Sequence, residues 1–160
     1  MKNFDDYKTL IEQSINILGI DPMQSRCSEP GQWLLYNGDT EIYVDLWEQK
    51  EMTGWQYFQP DGYTLNIFQV LSPVCYLPED EHLQKQLYEE ILENNLNLLF
   101  ASFTINKSEN MLAIKFRRIC NSLKQEDIIE AIESVGYYSE TTKDILEERF
   151  GLHRITKPSE

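Results

Sequence analysis

The sequence predicts an α+β fold: an antiparallel sheet of about six strands packed against helices, in the order α-β-β-β-β-α-β-β-α. Three observations predict it. Apolar residues recur at three- and four-residue steps near the start, middle and end of the chain. Between Gln32 and Leu77 the period drops to two. The turns joining those alternating stretches are short enough to make hairpins.

In the first helix Phe4, Tyr7, Leu10, Ile11, Ile15 and Leu18 form a stripe, while Asp5, Asp6, Lys8, Glu12 and Gln13 fall elsewhere. Gly19 suits a C-terminal stop, and Asp21-Pro22 opposes continuation. Asn37-Gly38, between Trp33–Tyr36 and Glu41–Trp47, is a strong hairpin signal because its residues tolerate positive φ. Pro60-Asp61-Gly62 is a second turn, separating a strand at Trp55–Phe58 from one at Tyr63–Leu71. Alternation puts Ile42, Val44 and Leu46 on an inner face. Tyr43, Asp45 and Trp47 fall on the other, suited to a half-covered surface or an interface.

A helix over Glu79–Leu96 follows, with Pro78 near its start and acids complementing its dipole. Leu83, Leu87, Tyr88, Ile91 and Leu92 supply its buried stripe. The next hairpin joins Leu98–Ile105 to Met111–Phe116, with Phe103 and Ile105 patterned against Leu112, Ile114 and Phe116. Ser122-Leu123-Lys124-Gln125 has capping-box spacing. The last helix carries Ile128, Ile132, Val135, Leu146 and Phe150 in one stripe, with Ser139 and Thr142 in its middle. Gly136 allows either a break or a close crossing, and Gly151 ends the helix.

The length fits a single domain, 1–160, with 152–160 as a flexible tail. With 27 acidic against 14 basic residues and a net charge of −13, the surface repels nucleic acid and anionic membranes and attracts basic protein segments. The densest basic group, Lys115, Arg117 and Arg118, is too short for a nucleic-acid stripe and reads as a strand end. Cys27, Cys75 and Cys120 are odd in number and far apart, which favours reduced thiols in a cytoplasm. The acidic start lacks a signal peptide's apolar stretch, no run reaches membrane-span length, and the Asn106-Lys107-Ser108 sequon has no role in a cytoplasmic chain.

Residues that could carry chemistry mostly find plainer readings. His82, Asp80 and Glu81 are neighbours on a helix and point in different directions, so they do not converge on a metal; His153 lies among no other ligands. Cys120 precedes a helix but follows an apolar strand, and Cys75 stands between Val74 and Tyr76. Both read as core fillers. Asp5/Asp6, Glu89/Glu90, Glu126/Asp127 and Glu147/Glu148 are pairs that an acidic composition produces by itself. Asp45 alone sits suggestively, and an exposed edge or a tyrosine hydrogen bond accounts for it. No catalytic residue, metal or cofactor is expected. Tyr43, Trp47, Trp55 and Tyr57 form the candidate partner-binding set on one sheet face, with ordinary core beneath a helix as the equal alternative. Residues 79–96 and 122–151 each net −5, a solubilising face or a steering field for a basic partner.

The stretch Leu92-Glu93-Asn94-Asn95-Leu96-Asn97-Leu98-Leu99-Phe100-Ala101-Ser102-Phe103 resembles the YbjN family, whose helix ends with asparagine before a small residue and a phenylalanine open a strand. The following hairpin and terminal helix extend the likeness over about the last seventy residues; the N-terminal half matches in element order. The resemblance implies a fold similar to that of type III secretion chaperones. It also implies a small, acidic, cytoplasmic, often dimeric protein that binds other proteins and has no catalytic residues to carry over.

These readings converge on a non-enzymatic protein-binding module, homodimeric and cytoplasmic, whose partner or client is basic or partly unfolded. Sheet aromatics would supply apolar contact and the acidic helices would orient the partner. One alternative is an acidic inhibitor or immunity-type protein that masks a basic toxin or enzyme. A second is an enzyme with a carboxylate site at Asp45.

Overall fold

The computed structural model describes residues 2–50 and 64–158. Helix α1 (Phe4–Ile17) opens with a reciprocal cap: Asn3 Oδ1 accepts the Asp6 N–H and the Asp6 carboxylate accepts the Asn3 N–H. It buries Tyr7, Ile11, Ser14 and Ile15 and stops before Gly19, whose φ is +79°. A single turn, α2 (Pro22–Ser25), is capped by Asp21.

Strands β1 (Gln32–Asn37) and β2 (Thr40–Gln49) form the expected hairpin, but Asn37 pairs with Thr40, so the loop is Gly38-Asp39. Gly38 carries the left-handed conformation, at φ +61°. Asn37 stays in the ladder, and its side-chain amide reaches Glu140 at 3.3 Å. Strand β3 (Leu65–Tyr76) runs five residues past the expected end at Leu71. Pro73 is accommodated because the register against its neighbour shifts between Pro73 and Cys75. The expected strand at Trp55–Phe58 and the turn at Pro60-Asp61-Gly62 lie outside the described residues.

Helix α3 (Glu81–Asn94) is capped by Asp80, which accepts the Leu83 N–H at 2.7 Å. It buries Leu87 and Ile91. Leu92 does not join that stripe and is 68% exposed. It lies about 100° around the helix from Ile91, on the flank that clears the sheet. Strands β4 (Ser102–Asn106) and β5 (Met111–Ile119) form the last hairpin, pairing Phe103 with Ile114 and Ile105 with Leu112 on the core side.

Among the described residues the sheet has five strands in the order β1-β2-β3-β5-β4, every neighbour antiparallel. Strands β3 and β4 therefore run parallel on either side of β5, and α3 makes the crossover between them. The helices pack on one face. Trp33, Leu35, Val44, Phe68, Val70 and Ile114 form one cluster with Ile11, Ile15, Leu87, Ile128 and Val135.

Helix α4 (Gln125–Phe150) begins after a 3-10 turn at Cys120–Ser122. The cap is thus not Ser122: the Lys124 N–H is accepted by Asp127 at 2.9 Å, because burial of Cys120 and Leu123 holds the preceding turn against the sheet. The helix is continuous through Gly136. A Cβ there would lie 2.8 Å from Ile42 Cδ1, so this glycine serves a close approach to β2. Gly151, at φ +62°, ends it.

Two polar residues interrupt the buried stripe of α4. The Ser139 and Ser72 hydroxyls lie 2.7 Å apart and use the Glu41 and Pro73 carbonyls as acceptors, at 2.6 and 3.3 Å. Lys143, rather than Thr142, takes the next buried position, with Nζ 3.3 Å from Thr40 Oγ1. Burial pushes its pKa down, and the carboxylates of Asp39, Glu41 and Glu140 oppose that shift.

Beyond Gly151 the chain returns to the sheet. Leu152 is buried, Arg154 bridges Cys75, the Ile155 N–H donates to Val74 O and the Lys157 N–H donates to Asp39 O. The described part of the segment read as a tail thus lies along β3 past the end of its pairing with β2, where free backbone groups await partners.

Candidate protein-interaction surfaces

The cross-strand register arranges the sheet face opposite the helices in three rows. Leu34, Tyr43, Leu71 and Lys115 form the first, Asp45, Gln69 and Arg117 the second, and Trp47, Ile67 and Ile119 the third. No described helix packs over these rows. Tyr43 and Trp47 share this face as the alternation predicts, both half-buried. Trp55 and Tyr57 lie outside the described residues.

A polar chain fills the middle row. Gln69 Nε2 donates to Asp45 at 3.2 Å, and Gln69 Oε1 accepts from Arg117 Nε and Nη2 at 2.8 and 2.6 Å. The Arg117 guanidinium lies over the Trp47 ring, 5.2 Å from its centre. Gln69 and Ile67 are buried on this face, while Tyr43 and Trp47 on either side of the polar chain stay half-exposed. Lys115 and Arg117 are strand residues tied into this face, with Arg118 bonded separately to Ser122 at 2.8 Å.

Burial raises the pKa of Tyr43 to about 12, helped by Glu41, whose carboxylate accepts its hydroxyl at 3.1 Å. Burial also raises Asp45, against the opposing effects of Gln69 and Arg117. Because Asp45 titrates higher folded than unfolded, its ionisation costs stability at neutral pH, and that cost disappears as pH falls through the folded pKa. An Asp45→Asn chain should therefore be more stable than the parent at pH 7, with the difference shrinking as pH falls toward 4. Chemical denaturation at both pH values reads it, and an unchanged or growing difference refutes it.

A second surface lies where α3 passes into β4. Leu92, Leu96, Leu99 and Phe100 are all more than half exposed, Leu96 at 85%. Phe100 sits at φ +62°, a conformation that costs a phenylalanine about 1–2 kcal/mol. Asn95 orders this loop: its Oδ1 accepts the Phe103 N–H at 2.7 Å, and its Nδ2 faces the Phe103 carbonyl at 3.5 Å. The Asn95 amide thus brackets Phe103 near the start of β4, an edge strand among the described residues. Leu99 N–H donates to the Tyr138 hydroxyl at 3.3 Å. Composition alone hides this patch, since four of its neighbours are asparagines or acids. The signal that could have found it is a helix stripe continuing past the helix end into apolar residues.

The described cations are largely engaged within the chain. Arg26 forks onto Glu12 at 2.7 and 2.8 Å, Arg118 lies 3.5 Å from Asp127, Arg149 pairs with Glu90, and Arg154 pairs with Asp144 and Glu147. The surplus charge outside these pairs is negative. Among the described residues no group of three His, Cys, Asp or Glu could hold a metal, and no helix is long and apolar enough to cross a membrane. Burial raises the Cys75 and Cys120 thiols to about 12, so neither is poised as a nucleophile.

This architecture defines a class. No family model and no curated protein matches the chain. Solved structures do match over nearly its full length. A chain of the HopA1–SchA chaperone–effector complex is 11% identical with a TM-score of 0.56, over 86% of this chain and 93% of that one. A chain of the heterodimeric ExoU–SpcU complex, from the type III secretion system of Pseudomonas aeruginosa, is 10% identical with a TM-score of 0.57, over 86% and 98%. A chain of the ExsC–ExsE complex is 10% identical with a TM-score of 0.60, over 91% and 97%. The protein has the α+β fold of the type III secretion chaperones.

Proposed function

We propose that the protein is a non-enzymatic, chaperone-like protein-binding module that works as a homodimer. The observation that carries this reading is a sheet face that no described helix covers and on which two aromatics stay half-exposed. Tyr43 and Trp47 stand there in aromatic–aliphatic rows, Tyr43 bonded to Glu41 and Trp47 beneath the Arg117 guanidinium, with no described helix over them. Half-buried aromatics have already lost part of their rotamer freedom, so a partner that covers them costs less entropy. The acidic surplus supports a basic or partly unfolded client, approaching under electrostatic attraction and held by apolar contact. The resemblance of residues 92–103 to the YbjN family supports the same reading, and the exposed Leu92–Phe100 patch supplies a surface for the second copy.

Affinity capture from native lysate tests it, with washes at rising salt and mass-spectrometric identification. Clients retained at high salt, and lost when Tyr43 and Trp47 are both replaced by serine, are expected. One folded, basic partner released at moderate salt would establish the inhibitor reading instead. No captured protein, together with turnover abolished by Asp45→Asn, would establish an enzyme.

A further inference from the structure

We infer that the groove between α3 and α4 is a docking site for a basic amphipathic segment of a protein partner, separate from the sheet face that carries Tyr43 and Trp47. The inference adds a second contact to the protein-binding reading and rests on it only in taking the partner to be a protein. The groove has two basins. One, of about 280 Å³, is lined mainly by apolar and aromatic groups, among them Ile91, Leu98, Phe103, Tyr137 and Ile145. The other, of about 500 Å³, is lined by Glu89, Glu90 and Glu93 with Leu83 and Phe150. Glu90 and Arg149 line both basins, and their forked ion pair is the bridge between them.

The sequence of α3 sets the spacing. On α3, Leu83, Gln86, Glu89, Glu90 and Glu93 line the acidic basin, while Glu90, Ile91 and Asn94 line the apolar one, so along that helix their centres are offset by about one turn, roughly 5 Å. A helical segment whose apolar anchor and cation stand four residues apart matches that offset. Charge complementarity selects the occupant. Three carboxylates face one guanidinium here, with Lys85 3.8 Å from Glu89 at the margin, so an incoming arginine can take a place at Glu93 or share Glu90 with Arg149. A second copy of this chain, at −13, brings predominantly like charge to the same place.

The probe is a fluorescein-labelled alanine–lysine helix carrying leucine and arginine four residues apart, titrated into the full chain and read by anisotropy. Two control peptides replace the leucine by alanine, or the basic residues by glutamate. We expect saturable binding of the parent peptide and at least tenfold weaker binding of both controls. Glu89→Lys with Glu93→Lys, and separately Ile145→Asp, should each weaken the parent peptide at least tenfold; these three side chains are exposed, so the fold survives. Tyr43→Ser should leave the affinity unchanged. Equal binding of the glutamate peptide, or indifference to the groove variants, overturns the inference. So does a change of oligomeric state on Ile145→Asp in sedimentation, which would assign the groove to a second copy. Capture of clients through Tyr43 and Trp47 would stand under any of these failures.

Discussion

Replacing Gly31 by alanine should destabilise the fold by about 3 kcal/mol, the sum of a left-handed backbone penalty and a steric overlap. Gly31 sits at φ +83°, and its carbonyl accepts the Leu46 N–H at 2.7 Å. A Cβ here would fall inside the van der Waals limit of the Leu46 carbonyl oxygen and 3.0 Å from the Phe4 ring. The obstructing atom is backbone in a central strand, so it cannot rotate away. Gly38 supplies the control, because it also has positive φ but nothing within 4 Å of the added carbon. Its alanine variant should lose only about 1 kcal/mol, from strain alone. Thermal melts would show the contrast as roughly 6–12 °C against 2–4 °C for a domain of this length. Equal losses at the two sites would refute the close approach at Gly31.

The second large effect concerns self-association. The chain should sediment as a homodimer, and Leu96→Asp combined with Phe100→Asn should make it monomeric. Burying a large apolar side chain contributes about 1.5–3 kcal/mol and a two-fold interface carries both of these twice, so their loss corresponds to a dissociation constant higher by roughly four orders of magnitude or more. Phe100→Asn is informative by itself. Asparagine tolerates the left-handed conformation that phenylalanine resists, so the isolated fold should keep or gain stability while association weakens. Such opposite signs distinguish an interface residue from a structural one. A monomeric parent chain, or a dimer indifferent to both substitutions, would remove this patch from the account.

Much of the architecture was legible because periodicity reports burial directly. Ile42, Val44 and Leu46 alternate with Tyr43, Asp45 and Trp47, and the sheet separates them as written. Shifts occurred where tertiary contact decides. The hairpin loop moved from Asn37-Gly38 to Gly38-Asp39 because Asn37 is used in the ladder and toward Glu140. The strand expected to end at Leu71 runs on to Tyr76, because a register shift accommodates Pro73. Ser122 had the spacing of a helix cap, but buried Cys120 and Leu123 held that turn to the sheet and moved the start to Gln125.

The surfaces were less legible than the core. Tyr43 and Trp47 could be assigned to one face, but the Asp45–Gln69–Arg117 chain joins three strands through pairings that sequence order does not display. Lys143 gave no warning of burial, since a lysine on an amphipathic helix ordinarily marks the solvent side. The groove between α3 and α4 depends on the crossover that sets those helices on the same face, and no local pattern encodes a space between two elements.

The two deeply buried thiols make the native chain its own reporter of breathing motions. Cys75 pairs with the returning C-terminal segment at Arg154 and Cys120 opens the turn that precedes α4, and burial pushes both thiols up to about 12. Alkylating reagents attack thiolate, so modification of either must wait for a local opening. Their labelling rates therefore time two separate latches, one at each end of the longest helix, with no probe added.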